Sequence, residues 1–192
     1  MKNSIKDFIQ QSIEISDKSY QEFLSIFKEV EFPKSHVISK KGDIHHKFYL
    51  LKKGVACSQL DDKNGNKHIR TLFTVVSAIA NLPSLVYKTP SPTEYVCITK
   101  CTLLEANFAD FENMIKKYHD VSISYNKFLQ RVYTNIEEKN TDLATLNAES
   151  RYLKLRKKEP DIENKIPLYY IAAYLNITPI QLSRIRKKIY SK

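Results

Sequence analysis

Glycine is nearly absent from this chain, with three residues in 192, alongside three cysteines and seven prolines. No Gly-rich phosphate-binding loop, nucleophile elbow or paired catalytic carboxylate stands out, so neither an enzyme nor a cofactor is expected. An odd number of cysteines at loose spacing is no disulfide framework. Cys97 and Cys101 either share one face of a strand or flank a turn, and both read as small buried thiols. His36, His45 and His46 have no acidic or cysteine partner at ligand spacing; they read as surface histidines, and no metal site is expected. No apolar run approaches the ~18 residues that span a bilayer. Met1-Lys2-Asn3-Ser4 opens mixed polar sequence without a signal-peptide core, and a soluble cytoplasmic protein with no membrane partner is the expectation.

What the chain has in excess is positive charge, +10 overall, and it is unevenly spread. Residues 1–150 hold 20 Lys/Arg against 18 Asp/Glu, whereas residues 151–192 hold 11 against 3. A field concentrated at one end attracts a polyanion there. An apolar fraction of 42% with 11% aromatics supplies a real core.

Three regimes follow one another. Residues 1–32 read as helical, from Phe8, Ile9, Ile13 and Ile15 and then Tyr20, Phe23, Leu24 and Phe27. Ser16-Asp17 caps the second helix, and Pro33 ends it. From Lys34 to Ala106 short β-rich runs alternate with turns: His36–Ser39, Phe48–Leu51, Val55–Leu60, Lys67–Phe73, Tyr95–Thr99 and Thr102–Ala106. All three glycines fall at these turns, and Asn64-Gly65 is a strong hairpin signal because type I′ turns need positive φ. Such spacing predicts a small antiparallel barrel or roll. Between Pro92 and Pro160 there is no proline. Within that window Tyr118, Val121, Tyr125, Phe128, Val132 and Ile136 step by three or four, and Leu143 and Leu146 resume the stripe. A continuous Asp120–Leu146 helix would be ~40 Å long. Its stripe has coiled-coil spacing, so it can serve a homodimer, the chain's own roll, or one face for each.

The last regime satisfies the constraints of a helix-turn-helix one by one. Pro167 starts a helix. Ile171 and Leu175 face inward, and Ala172 is small where two helices must approach. Asn176 occupies the tight turn, being able to adopt the left-handed conformation, and Ile177 plugs the corner. Thr178 caps a second helix with Pro179 at its first position, and Leu182 and Ile185 anchor it. Ile180, Ser183, Arg184 and Lys187 remain outward, with Pro179 at the edge. A recognition helix presents its N-terminal half to base edges. Arg184 suits a bidentate contact to guanine, Ser183 a base or phosphate, and Pro179 and Ile180 a thymine methyl. Arg186, Lys187 and Lys188 suit phosphates.

Ile171-Ala-Ala-Tyr-Leu-Asn-Ile-Thr-Pro-Ile-Gln-Leu-Ser-Arg-Ile-Arg186 resembles the DNA-reading segment of the Crp–Fnr family of bacterial regulators, and more narrowly of its short Bacteroidetes-type members. Glu149-Ser-Arg-Tyr-Leu153 is similar to the family's hinge-side helix. Lys41-Gly42-Asp43 and Phe48-Tyr-Leu-Leu-Lys-Lys-Gly54 resemble two glycine turns of its cyclic-nucleotide-binding roll. The resemblance implies an α+β fold of N-terminal helices and an antiparallel β-roll (a double-stranded β-helix), a long dimerisation helix, and a C-terminal helix-turn-helix. The corresponding domains are residues 1–117, 118–147 and 148–192. It also implies phosphate contacts from Thr178 and Lys187, base contacts from Pro179, Ile180, Ser183 and Arg184, and double-stranded DNA as partner of a homodimer.

The chain departs from the family in its phosphate cradle and after its last helix. Members that bind cyclic AMP hold its phosphate with a Phe-Gly-Glu turn and a following Arg-Ser or Arg-Thr. Here the stretches read Phe73-Thr-Val-Val-Ser-Ala-Ile-Ala-Asn81 and Pro90-Ser-Pro-Thr-Glu94, with no arginine between Arg70 and Arg131. Such a cradle lacks its donors and its countercharge, so a response to cyclic AMP is not expected. No cysteine occurs in residues 1–56, where some members carry an iron–sulfur cluster. The sequence given has only three residues after Ile189, too few for a wing beyond the recognition helix. A transcription regulator is the expectation, its roll a scaffold or a sensor of an unknown small-molecule effector. The competing expectation is a small-molecule receptor acting through a protein partner.

Overall fold

The computed structural model describes residues 15–191 apart from 64, 66 and 75. The part of the first expected helix that carries Phe8, Ile9 and Ile13 lies outside the described residues.

Helix α1 (Asp17–Ser25) starts where Ser16 accepts a hydrogen bond from the Ser19 amide, as the sequence suggests. It stops at Ser25 and not at Pro33. Residues Lys28–Phe32 instead form strand β1. The alternation Lys-Glu-Val-Glu-Phe fits a period of two, which turns Val30 and Phe32 to one side, against the roll interior. Six further strands follow: β2 (Val37–Ser39), β3 (Lys47–Lys53), β4 (Ala56–Asp61), β5 (Lys67–Phe73), β6 (Ser77–Ile79) and β7 (Glu94–Cys97). The last, β8 (Cys101–Asn107), pairs with β1 from Lys28↔Glu105 to Phe32↔Cys101. Of these, β1 and β6 fall outside the runs that sequence pattern marks as strands.

The strands make two antiparallel sheets, in the orders β1-β8-β3-β6 and β2-β7-β4-β5. The β4–β5 hairpin is where Asn64-Gly65 places it, but the last pair is Asp61↔Lys67. Its loop is therefore five residues, longer than a two-residue type I′ turn. Gly65 has φ +80°, and Asn64 lies outside the described residues. At Gly54 (φ +97°) an added Cβ would lie 2.3 Å from the Lys100 carbonyl, so glycine is required there.

Between the sheets lies a core of Tyr49, Leu51, Ala56, Ile79, Tyr95, Cys97, Cys101 and Leu103. The Phe48–Leu51 run is buried on both faces. Phe48 and Leu50 point outward into a second cluster with Phe23, Phe108, Phe111, Met114 and Val121. That cluster seats α1, helix α3 (Phe108–Lys117) and the start of helix α4 (His119–Thr145) on the first sheet. An intervening helix, α2 (Leu82–Tyr87), is capped by Asn81. Helix α4 has 27 residues and sits within one residue of its expected limits at each end.

The second sheet is covered by the C-terminal helices α5 (Ala148–Lys158), α6 (Ile162–Lys165), α7 (Leu168–Tyr174) and α8 (Pro179–Tyr190). Val55, Cys57, Ile69, Val96 and Ile98 of the roll bury against Tyr152, Leu155, Ile162, Ile171, Ala172, Leu175 and Leu182. One buried cluster thus runs across the expected division at residue 148.

Cys57, Cys97 and Cys101 are buried, and Cys97 and Cys101 flank the turn between β7 and β8. Burial pushes the Cys57 thiol up to about 12. His45 corrects the surface reading. It is buried, its amide donates to Ser84 Oγ, and its ring packs edge-on to Tyr95. The cause is α2, an element that short-range pattern does not mark.

Candidate nucleic-acid interface

Helix α7 ends on a doubly hydrogen-bonded left-handed cap. Asn176 has φ +56°. Its amide reaches the Ala173 carbonyl at 3.3 Å, and the Ile177 amide reaches that of Ala172 at 3.0 Å. Both orphan carbonyls are satisfied at the residue that local pattern marks for the turn. Ala172 is fully buried where α8 approaches, and Ile177 packs into the same cluster.

Thr178 then opens α8 with a reciprocal pair of bonds. Its Oγ1 accepts from the Gln181 amide at 3.2 Å, and Gln181 Oε1 accepts from the Thr178 amide at 2.8 Å. Gln181 was not singled out in the sequence, although Thr-x-x-Gln is the signature of this box. Pro179 occupies the first turn, and Leu182 is buried with 1% of its surface exposed. These constraints fix the rotation of α8 about its axis. Pro179, Ile180, Ser183, Arg184 and Lys187 are all exposed, Ile180 at 66%. Arg184 and Lys187 have no ion-pair partner among the described residues.

The four expected phosphate-binding residues divide. Thr178 and Lys187 stand on the exposed face. Arg186 is turned back, its Nε 3.0 Å from Glu163 Oε1 and its guanidinium over the Tyr190 ring. Tyr152 and Tyr190 hydroxyls also donate to Glu163. Burial works to raise the Glu163 carboxyl. The two phenol hydrogen bonds and the charges of Arg186 and Arg156 outweigh it and hold the carboxyl below its usual range. Lys188 lies 2.6 Å from Glu149 in an exposed pair.

Arg151, also missed in the sequence, ties α7 to the long helix. Its guanidinium donates to the Leu146 carbonyl at 2.6 Å and the Leu175 carbonyl at 3.1 Å. The end of α4 and the end of α7 thereby share one side chain.

Along α4 the expected dimer stripe also divides. Val121 is buried in the roll-side cluster, and Tyr125 packs edge-on to Phe111 at 5.1 Å. Phe128 and Val132 are half-exposed, and Ile136 is exposed, joined by Tyr133 and Leu143.

Inside the roll, the two stretches that depart from a phosphate cradle hold each other. Asn81 Nδ2 donates to Ser91 Oγ at 2.8 Å, and Ser91 Oγ donates to the Thr93 carbonyl at 2.8 Å. Tyr95 reaches across to the Ala80 carbonyl at 2.8 Å, and burial pushes its phenol up to about 12. Among the described residues, the side chains buried between the sheets are neutral. The residues present do not fit a cyclic phosphate.

Residues 29–118 match the model of the cyclic nucleotide-binding domain family. Among solved structures, the c-di-GMP responsive global regulator CLP of Xanthomonas campestris is similar over 92% of each chain, at 13% identity and TM-score 0.64. The catabolite activator protein of Thermus thermophilus is similar over 92% of this chain and 84% of its own, at 16% identity and TM-score 0.58. FixK2 of Bradyrhizobium japonicum is similar over 86% and 85%, at 14% identity and TM-score 0.72. The likeness is one of fold: a cyclic-nucleotide-binding-type roll of antiparallel sheet with helices following it. No curated protein sequence matches the chain. Among the described residues no helix is long and apolar enough to cross a membrane.

Proposed function

We propose that this chain is a DNA-binding transcription regulator of the Crp–Fnr type, acting as a homodimer on a two-fold-related duplex site. The observation that carries the reading is the outward face of α8. A helix capped at Thr178 and anchored at Leu182 offers Ile180, Ser183 and Arg184 from its N-terminal half. A major groove accepts that half. Arg184 takes a guanine edge, Ser183 a neighbouring base or phosphate, and Pro179 and Ile180 a thymine methyl. Thr178 and Lys187 hold phosphates. Lys188 can join them by exchanging its exposed pair with Glu149. Arg186 serves the fold instead, because leaving Glu163 would strand a part-buried carboxylate.

Two-fold symmetry comes from the outward part of α4, where Phe128, Val132, Tyr133, Ile136 and Leu143 face away from the roll-side cluster. Half-sites then lie about one helical turn apart, roughly 34–36 Å. Since its interior is filled by its own side chains, the roll does not answer to cyclic AMP. The known matches support this regulator reading through their shared fold.

The test is selection of bound sequences from random duplex DNA, followed by fluorescence anisotropy across a range of salt. The expected outcome is a two-fold-related consensus and a steep negative salt slope from counterion release. A flat slope with no enriched sequence would overturn the reading.

A further inference from the structure

The outer face of the second sheet is apolar at one end and charged at the other. Ile69 of β5 and Val96 of β7 bury under the C-terminal helices. A period of two puts Lys67 and Glu94, the first residues of those strands, on the same face. Strand β4 runs between them, where Gln59 pairs with both Ile69 and Glu94. Lys67 and Glu94 therefore stand two strands apart, about 10 Å on the strand spacing.

Helix α7 does not close over this end. Between its first turn and the sheet lies a cavity of about 330 Å³. Ile69 and Val96 floor it, Tyr169 and Tyr170 of α7 wall it, and Gln59, Glu94 and Lys67 supply its polar lining. The two tyrosine rings are 4.3 Å apart. Gln59 is buried, with 8% of its surface exposed, and its amide donates to Glu94 Oε2 at 2.5 Å. One oxygen of a part-buried carboxylate is thus held from within the protein. Among the described residues, neither Glu94 nor Lys67 has an ion-pair partner. Opposite charges therefore line one apolar, aromatic-walled cavity without being paired to each other. A part-buried carboxylate without a cation is costly, and a ligand that brings one relieves it.

We propose that this cavity binds a free α-amino acid with a large apolar or aromatic side chain. The ammonium meets Glu94 and the carboxylate meets Lys67, each as a charge-assisted contact. The side chain lies over Ile69 and Val96 against the tyrosine rings. The volume is at the small end for ligand cavities, which suits a single-ring molecule and excludes a duplex. Because the roll supplies the charges and α7 the rings, an occupant ties the two together. Binding there favours one setting of α7 and α8 against the roll. The site does not rest on the DNA-binding reading, and it is tested without DNA.

The full chain is melted with L-phenylalanine, with L-leucine, and with two fragments that each lack one charge, phenethylamine and 3-phenylpropionate. The expected result is a saturable rise in melting temperature with at least one of the amino acids. Both fragments should bind about tenfold or more weakly, since each forgoes a charge-assisted contact. Glu94→Gln and Lys67→Met should each weaken the amino acid by a similar factor. Glu94→Gln should leave 3-phenylpropionate unaffected, and Lys67→Met should leave phenethylamine unaffected, because each fragment lacks the charge that the lost residue would meet. Tyr169→Ala, at an exposed position, should weaken every probe, and it serves should Glu94→Gln fail to fold. Asp110→Asn, in the helix α3 that packs on the other sheet, should keep the parent affinity. No saturable response to either amino acid would overturn the proposal. So would a fragment that binds as tightly as the amino acid, or equal affinity in the parent, Glu94→Gln and Lys67→Met.

Discussion

His68 Nδ1 in the β4–β5 hairpin lies 3.1 Å from Oδ1 of Asn176, the left-handed residue in the turn between α7 and α8. Its other nitrogen is 3.2 Å from Asp62 Oδ2, so the hairpin is fastened to the turn by one imidazole. Asn176 therefore has two duties, a backbone angle of +56° and a side-chain contact with the roll. Substitutions separate them. Asn176→Gly keeps the angle and loses an exposed contact, and its stability to urea should stay within about 0.5 kcal/mol of the parent. Asn176→Val must take a left-handed conformation with a branched Cβ and should lose about 1–2 kcal/mol. Equal stability of the two variants would remove the left-handed corner from the account.

Arg184, Lys187 and Arg186 lie within four residues yet should behave in three different ways. Arg184→Ala should weaken the selected site by about 1–3 kcal/mol and relax preference at one base position. Lys187→Ala should weaken all sequences alike and reduce the salt slope by about 1. Arg186→Gln should leave the salt slope unchanged while lowering thermal stability, because Glu163 loses its cation partner in part-buried surroundings. Anisotropy titrations at several salt concentrations, paired with melting curves, tell the three apart. A reduced salt slope for Arg186→Gln would return it to the phosphate-binding set.

What was readable in the sequence was what neighbouring residues settle among themselves. Ala172, Asn176, Thr178 and Pro179 each meet a requirement set within a few positions, and the turn from α7 into α8 could be assembled from them. The 27-residue length of α4 was similarly local. Long-range partners were not legible. Lys28–Phe32 looked like the tail of a helix because the strand that claims it, β8, comes some 70 residues later. Arg186 looked like a free cation because Glu163 stands 23 positions earlier and faces it only once α6 folds. His45 looked exposed because α2 covers it. A stripe such as Val121–Ile136 carries no mark of where one packing partner gives way to another.

That handover along α4 makes a prediction of its own. Val121 has 2% of its surface exposed and belongs to the roll-side cluster, whereas Ile136 and Tyr133 are 42% and 64% exposed. Ile136→Glu, or Tyr133→Glu, should leave the unfolding midpoint of the isolated subunit nearly unchanged, being surface substitutions. Either should still convert a dimer to a monomer by light scattering, since a charge enters the proposed seam. Val121→Ala should do the reverse, costing about 1–3 kcal/mol of stability without touching the oligomeric state. A dimer that survives both glutamates would place the seam elsewhere.

Lys139 gives the fold a pH dependence whose direction follows from its surroundings. Its ammonium is drawn down from 10.5 to about 8, first by burial and then by Arg70 and Lys158. Below pH 8 the group is charged in both states, and the folded chain bears the full cost of the buried charge. Between about 8 and 10.5 the folded chain releases the proton while the unfolded chain keeps it, so this group's contribution to stability rises with pH. Discounted for partial exposure, the rise amounts to about 2 kcal/mol. Cys57 and Tyr95 act oppositely, because burial raises both to about 12 and their unfolded forms ionise first. The net curve therefore mixes signs, and the useful quantity is the difference between the parent and Lys139→Met. In phosphate-free buffer the methionine variant should gain most on the parent at pH 7, with the gap closing by about 2 kcal/mol as pH approaches 10.5. Urea midpoints at pH 7, 8.5 and 10 measure it. Parallel curves would show that Lys139 carries its charge without cost.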